Sequence, residues 1–178
     1  MTVREIYDLA LRGGGNDFQA VVELLERIGE PWCLIGGLAV NAYCEPVYTA
    51  DADFVVIASP LEFICAELAG LGFAISRQRF WINARLQGSD LVMQFTTDPR
   101  YQDFLGRAAP AEVLGAQCRV ASLADLFQGK LWAAADPLSL WCWRRLGRPD
   151  CFSFRRLIRQ WRLIRLIRRR RGSRPGQL

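Results

Sequence analysis

Histidine is absent from the 178 residues, and lysine occurs once, at Lys130. The first absence removes Ser-His-Asp and Cys-His nucleophilic sites, His-ligated zinc and imidazole acid–base chemistry together. Any catalysis must therefore be carried by carboxylates. The six cysteines (Cys33, Cys44, Cys65, Cys118, Cys142 and Cys151) form no C-x-x-C pair and sit mostly in apolar surroundings such as Trp32-Cys33-Leu34. They read as reduced packing residues more readily than as disulfides or metal ligands. No uninterrupted apolar run approaches the roughly 20 residues of a spanning helix, and no early segment joins a basic start to an apolar run and a small-residue cleavage site. The expectation is a soluble cytoplasmic protein with no membrane span.

What is present divides unevenly. About half of the residues are apolar, 51%, which is enough for a real core in one domain. Through Trp143 there are 10 basic and 17 acidic side chains, whereas from Arg144 onward 13 arginines face Asp150 alone. The overall +5 thus hides an acidic body and a strongly basic tail. The boundaries expected are 1–136 for the domain and 137–178 for an Arg/Trp-rich divergent C-terminal tail.

Along the body, helical and extended patterns alternate. Val3 to Arg12 can form a short amphipathic helix ended by Gly13-Gly14-Gly15, and a second helix, capped by Asn16 or Asp17, carries the stripe Phe18, Val21, Val22, Leu24 and Leu25. Trp32-Cys33-Leu34-Ile35 reads as a buried strand between Pro31 and Gly36-Gly37, and Leu38 to Tyr43 resumes helical spacing. Ala52 to Ile57 is the next strand, and Pro60 introduces a helix over Leu61 to Leu71, closed by Gly72. Three strands are expected over Phe73–Ser76, Phe80–Leu86 and Asp90–Thr96, with Gln87-Gly88-Ser89 as a hairpin turn. Pro99 to Ala108 reads as a helix, Val113-Leu114 and Cys118-Arg119-Val120 as a small hairpin about Gly115, and Ser122 to Asp125 as a capping box opening a last helix. The fold class is α/β, or α+β, built on a small mixed β-sheet flanked by helices, with a basic C-terminal tail that is helical or disordered.

Asp51 and Asp53 stand two apart where a strand begins, so both side chains point to one side of the sheet. Two like charges held together repel unless a cation neutralises them, and hard oxygen ligands of this kind select magnesium or manganese. In isolation such a pair reads as two solvated acids. The context adds to it: Gly36-Gly37, between a buried strand and a helix, lets a phosphate approach the backbone and the positive helix N-terminus.

The segments Leu34-Ile-Gly-Gly-Leu-Ala-Val-Asn41 and Tyr48-Thr-Ala-Asp-Ala-Asp-Phe-Val-Val56 resemble the minimal nucleotidyltransferase branch of the DNA-polymerase-beta-like superfamily, particularly its AbiEii-like toxin relatives. The resemblance runs from about Pro31 to Asp136. It implies a third carboxylate on a neighbouring strand, and Ser89-Asp90-Leu-Val-Met-Gln-Phe95 is the segment most similar to that strand, which makes Asp90 the third acid and Asp98, before Pro99, its competitor. It further implies that Asp51, Asp53 and Asp90 are catalytic and hold magnesium or manganese, and that Gly36 and Gly37 cradle the phosphates of a nucleoside triphosphate. Lys130 would neutralise a phosphate, although a lysine on a helix is usually solvated. Thr49 would orient the acidic turn, or bond its own backbone. Phe80, Trp81, Phe95 and Tyr101 could stack a base, with packing on the sheet their ordinary use. The implied reaction moves a nucleoside monophosphate onto a hydroxyl acceptor such as tRNA, in a toxin-like protein with a cognate antitoxin. The alternative is a catalytically inactive nucleotide- or RNA-binding module of the same fold.

After Asp136 the resemblance stops. The charge reversal near Trp143 fits a diverged or out-of-frame replacement, and Leu157, Ile158, Trp161 and Ile164 recur at helical spacing among arginines. A basic helix of that kind suits RNA phosphates or an anionic surface, and a poorly folded extension fits it equally.

Overall fold

The computed structural model describes residues 14–44, 49–78 and 81–135. The expected helix over Val3–Arg12, Phe80 and the tail lie outside the described residues. The apolar stripe from Phe18 to Leu25 becomes the buried face of helix α1 (Gly14–Ile28). This helix starts earlier than the sequence suggests. Gly14 and Gly15 form its buried first turn, so Asn16 and Asp17 lie inside the helix. Gly29, at φ +76°, ends it, and its N–H donates to Leu25 O at 3.2 Å.

Strand β1 (Trp32–Ile35) leads directly into helix α2 (Gly36–Val40), so the glycine pair is the first turn of the helix and not a loop before it. Next come β2 (Asp51–Val56), α3 (Leu61–Gly70), β3 (Phe73–Arg77), β4 (Trp81–Leu86) and β5 (Val92–Thr96). The helix expected over Pro99–Ala108 is shorter. A 3-10 turn at Pro99–Tyr101 runs into α4 (Gln102–Leu105), and Asp98 caps the turn by accepting from Arg100 N at 2.9 Å. The chain then enters β6 (Ala109–Val113), β7 (Ala116–Val120) and α5 (Leu123–Ala135). Leu114 and Gly115, at φ 52° and 79°, make the tight turn between β6 and β7, both central residues having the left-handed conformation such hairpins need. Ser122 opens α5 as its sequence suggests, its Oγ accepting from Asp125 N at 3.2 Å.

The seven strands form one mixed sheet in the order β3-β4-β5-β2-β1-β7-β6. β2 is parallel to β5 and antiparallel to β1, while β1 is parallel to β7. Alternation along β2 sends Ala52, Phe54 and Val56 to one face and Asp51, Asp53 and Val55 to the other. Phe54 is the hub of the first face. Its ring lies 5.2 Å from Phe95, 6.0 Å from Phe18 on α1 and 5.9 Å from Trp32. α3 lies beside α1, tied by an Arg27–Glu67 ion pair at 3.1 Å. On the second face the far end is closed, with Val55 and Cys33 fully buried, while Asp51 is exposed and Asp53 half-buried. Pro110 lacks an N–H and occurs in β6, an edge strand, where sheets tolerate proline.

The chain divides into two compact units, Met1–Gly129 and Lys130–Leu178. Within the first, Arg107 binds Asp125 through Nε and Nη2, the shortest contact being 2.7 Å. Among the described residues no helix is long and apolar enough to cross a membrane.

Candidate functional site

The open part of the second face is assembled by register. Ile35 stands opposite Asp53, Asp53 beside Gln94, Gln94 opposite Asn83 and Asn83 opposite Ser76. One row of side chains thus crosses five strands, with Asp53 second in the row and Gln94 at its middle. One row further along, Asp51 is beside Val92. The backbone before β2 is shaped by Thr49, whose Oγ1 accepts from Asp51 N at 3.3 Å.

The glycine turn and the acid pair touch. Gly36 has φ +75°, and a Cβ placed there would lie 1.8 Å from Asp53 Oδ2 and 2.7 Å from its Cγ. Only glycine leaves room for the Asp53 carboxylate in that position. A Cβ on Gly37 would meet Thr49 Cβ and Oγ1 at 3.3 Å, a milder approach. Gly36, Gly37, Thr49, Asp51 and Asp53 therefore form one cluster where β1 passes into α2 and β2 begins.

Asp90 stands differently. It precedes β5 by two residues, and its Oδ1 accepts from Arg85 Nη2 at 3.0 Å. Arg85 is fixed in turn by donating to Ser89 O at 2.8 Å. Asp98 is held by Arg100, with a contact of 2.6 Å. Hydrogen bonds from that guanidinium keep its carboxyl below the usual carboxylate range, against the opposing effect of burial. Lys130 lies on α5, in the second unit.

The β5 side chain in the row of Asp53 is Gln94, whose Nε2 donates to Asn83 Oδ1 at 3.1 Å. Sequence reading passed over it, because a glutamine in an apolar strand carries no motif. The usable signal was the alternation of buried Met93 and Phe95 with Val92 and Gln94, but the pairing of β5 with β2 is not written in either segment.

The donor chemistry can be set against the implied metal. Among the described residues no group of three or more His, Cys, Asp or Glu side chains could hold a metal ion. The Asp51–Asp53 pair fits a single magnesium that takes its other ligands from phosphate and water, the usual way this ion is held beside nucleotides. A pair of ions held by three carboxylates does not fit.

Comparison with known proteins supports the architecture. No family model matches the sequence, and no curated protein matches it. Several solved structures do match. ANT(2″)-Ia, an antibiotic-resistance factor, aligns over 89% of this chain and 92% of its own at TM-score 0.59 and 14% identity; it is also seen in complex with adenylyl-2″-tobramycin. The lincosamide antibiotic adenylyltransferase LnuA, bound to lincomycin, aligns over 64% of this chain and 83% of its own at TM-score 0.51 and 10% identity. TM1012 of Thermotoga maritima, described as a nucleotidyltransferase, aligns over 73% of this chain and 92% of its own at TM-score 0.54 and 16% identity. The fold is that of the nucleotidyltransferases. Within this nucleotidyltransferase fold, the glycine turn, Thr49 and the two acids of β2 form the candidate site.

Proposed function

We propose that the protein binds a nucleoside triphosphate with magnesium at this cluster and transfers the nucleoside monophosphate to a hydroxyl acceptor, releasing pyrophosphate. The carrying observation is the packing of Asp53 against Gly36, which unites a cation-binding acid pair with a phosphate-accepting turn. Bound magnesium supplies charge neutralisation at the triphosphate. The protein's own groups do the placing. Asp51 and Asp53 orient the cation, the backbone of Gly36 and Gly37 receives phosphate oxygens, and Thr49 fixes the acidic turn. Asp90, bound to Arg85, is reserved for the acceptor side of the site.

Two neighbours, one an adenylyltransferase and the other in complex with adenylyl-2″-tobramycin, favour adenylate transfer to a small-molecule hydroxyl as the first reaction to assay. The tRNA acceptor, the toxin-like use, the cognate antitoxin and the cytoplasmic location rest on the AbiEii-like resemblance. The division at 1–136 and 137–178 assigns this chemistry to the body.

The test is labelling with α-³²P nucleotides and magnesium, offered pooled tRNA, tobramycin and lincomycin as acceptors. Labelled product from the native chain, lost in Asp51→Asn and Asp53→Asn, is expected. Equal labelling in both variants would refute the assignment. A second reading, a nucleotide-binding module without turnover, is favoured because among the described residues no group of three acids could hold a metal ion. It predicts magnesium-dependent nucleotide binding with no labelled product from any acceptor.

A further inference from the structure

We infer that Gln94 stands where a third carboxylate would complete the acid cluster, and that this position sets whether the site holds its cation loosely or tightly. The inference rests on the reading of Asp51 and Asp53 as cation ligands. It adds a residue that the sequence pattern does not assign.

The argument is one of register. β2 and β5 are parallel, and Asp53 and Gln94 are partners. Neighbouring strands lie about 4.8 Å apart, and partners in a parallel pair send their side chains to the same face. Gln94 is therefore the β5 side chain beside Asp53 on the open face. Asp90 is four residues earlier, outside β5, and is engaged by Arg85. Val92, beside Asp51, has no donor atom. Among side chains that face the acid pair from β5, Gln94 alone has a polar end.

An amide at this point has two effects. It adds no negative charge beside Asp51 and Asp53, so the pair is less costly to hold without a cation. It also accepts no proton at neutral pH. In nucleotidyl transfer the acceptor oxygen forms a bond to the α-phosphorus, the bond from that phosphorus to the β-bridging oxygen breaks, and pyrophosphate leaves with the electron pair. The acceptor proton must pass to a base, and the Gln94 amide cannot be that base. Glutamate has nearly the shape of glutamine. Gln94→Glu would place a carboxylate there without moving the backbone, and a flip of the Asn83 amide would preserve the hydrogen bond between the two side chains.

The experiment uses Mn²⁺ alone as the probe, titrated into the full chain and read by the loss of the free-ion spin resonance signal. The native chain is expected to bind Mn²⁺ weakly, and Gln94→Glu to bind it about tenfold more tightly or with a second ion, since affinity for hard cations follows the number of charged ligands. Without metal, Gln94→Glu should melt below the native chain, and Mn²⁺ should raise its Tm by more than it raises the native Tm. Adding Asp53→Asn to Gln94→Glu should remove the gain. If Gln94→Glu fails to fold, Gln94→Asp is read by the same criteria. Mn²⁺ affinity unchanged by either acid, while Asp53→Asn abolishes native binding, overturns this inference and leaves the proposed function standing. A fall in Mn²⁺ affinity in Asp90→Asn also overturns it, because Asp90 would then be the third ligand. Native Mn²⁺ binding indifferent to both Asp51→Asn and Asp53→Asn would instead sink the proposed function itself.

Discussion

Gly36→Ala is the perturbation that isolates the contact between the glycine turn and the acid pair. Two costs add at this residue. The left-handed φ of +75° costs a residue bearing a Cβ about 1–2 kcal/mol. In addition, the new methyl would overlap Asp53 Oδ2, at 1.8 Å, so the carboxylate must swing away, at about 1 kcal/mol if it leaves its rotamer. The sum is about 2–3 kcal/mol, or a fall in Tm of roughly 5–10 °C for a chain of this size. Gly29 provides the control. Its φ of +76° matches, but a Cβ there meets nothing within 4 Å. Gly29→Ala should lose only the first part, about 1–2 kcal/mol. The decisive assay combines thermal unfolding with Mn²⁺ titration of both variants. Gly29→Ala should melt early yet bind Mn²⁺ as the native chain does, whereas Gly36→Ala should melt earlier still and bind it poorly. Native Mn²⁺ affinity in Gly36→Ala would refute the claim that this glycine makes room for Asp53.

Other outcomes follow from the packing and the ion pairs. Phe54→Ala, which removes the ring between Phe18, Trp32 and Phe95, should cost about 3–5 kcal/mol in denaturant unfolding. Burial pushes Asp125 up, but the Arg107 guanidinium and the Ser122 hydroxyl outweigh it and hold its carboxyl below the ordinary range; Asp98 is lowered by Arg100. A lowered folded pKa contributes stability above the unfolded value, about 3.9, and that contribution is lost as pH falls through the folded pKa. Unfolding free energy should therefore decline in acid below about pH 4, and the decline should be shallower in Asp98→Asn/Asp125→Asn. Burial raises the Cys33 and Cys118 thiols to about 12. At pH 8 both should resist a disulfide reagent in the folded chain and react on unfolding, as followed by mass spectrometry of the labelled peptides.

Much of the fold was legible because its signals are local. The four apolar residues Trp32 to Ile35, bounded by Pro31 and a glycine pair, became β1, and Pro60 and Gly72 bracketed α3 where expected. Gly115 marked the β6–β7 turn, and Ser122 the start of α5. The departures occurred where a distant neighbour decides. Gly14 and Gly15 look like a helix stop, yet they are buried and join α1. Pro99 to Ala108 carries helical residues, but Ala109 and Pro110 are drawn into pairing with β7. The candidate site shows the same division. Asp51, Asp53 and the glycine pair stand out along the chain, and their strands bring them together. The third position depends on which strand lies beside β2 and in what register, and periodicity within one strand holds no record of that. The likeness of the segment Ser89 to Phe95 to a family strand points to Asp90, whereas the residue paired with Asp53 is Gln94.

The β2–β5 register carries a genetic consequence. Glutamine codons become glutamate codons by changing their first base alone, so the position beside Asp53 is a single point mutation from its acidic counterpart. Descendants of this gene could cross between the two chemistries repeatedly, with no insertion, deletion or rebuilt loop along the way.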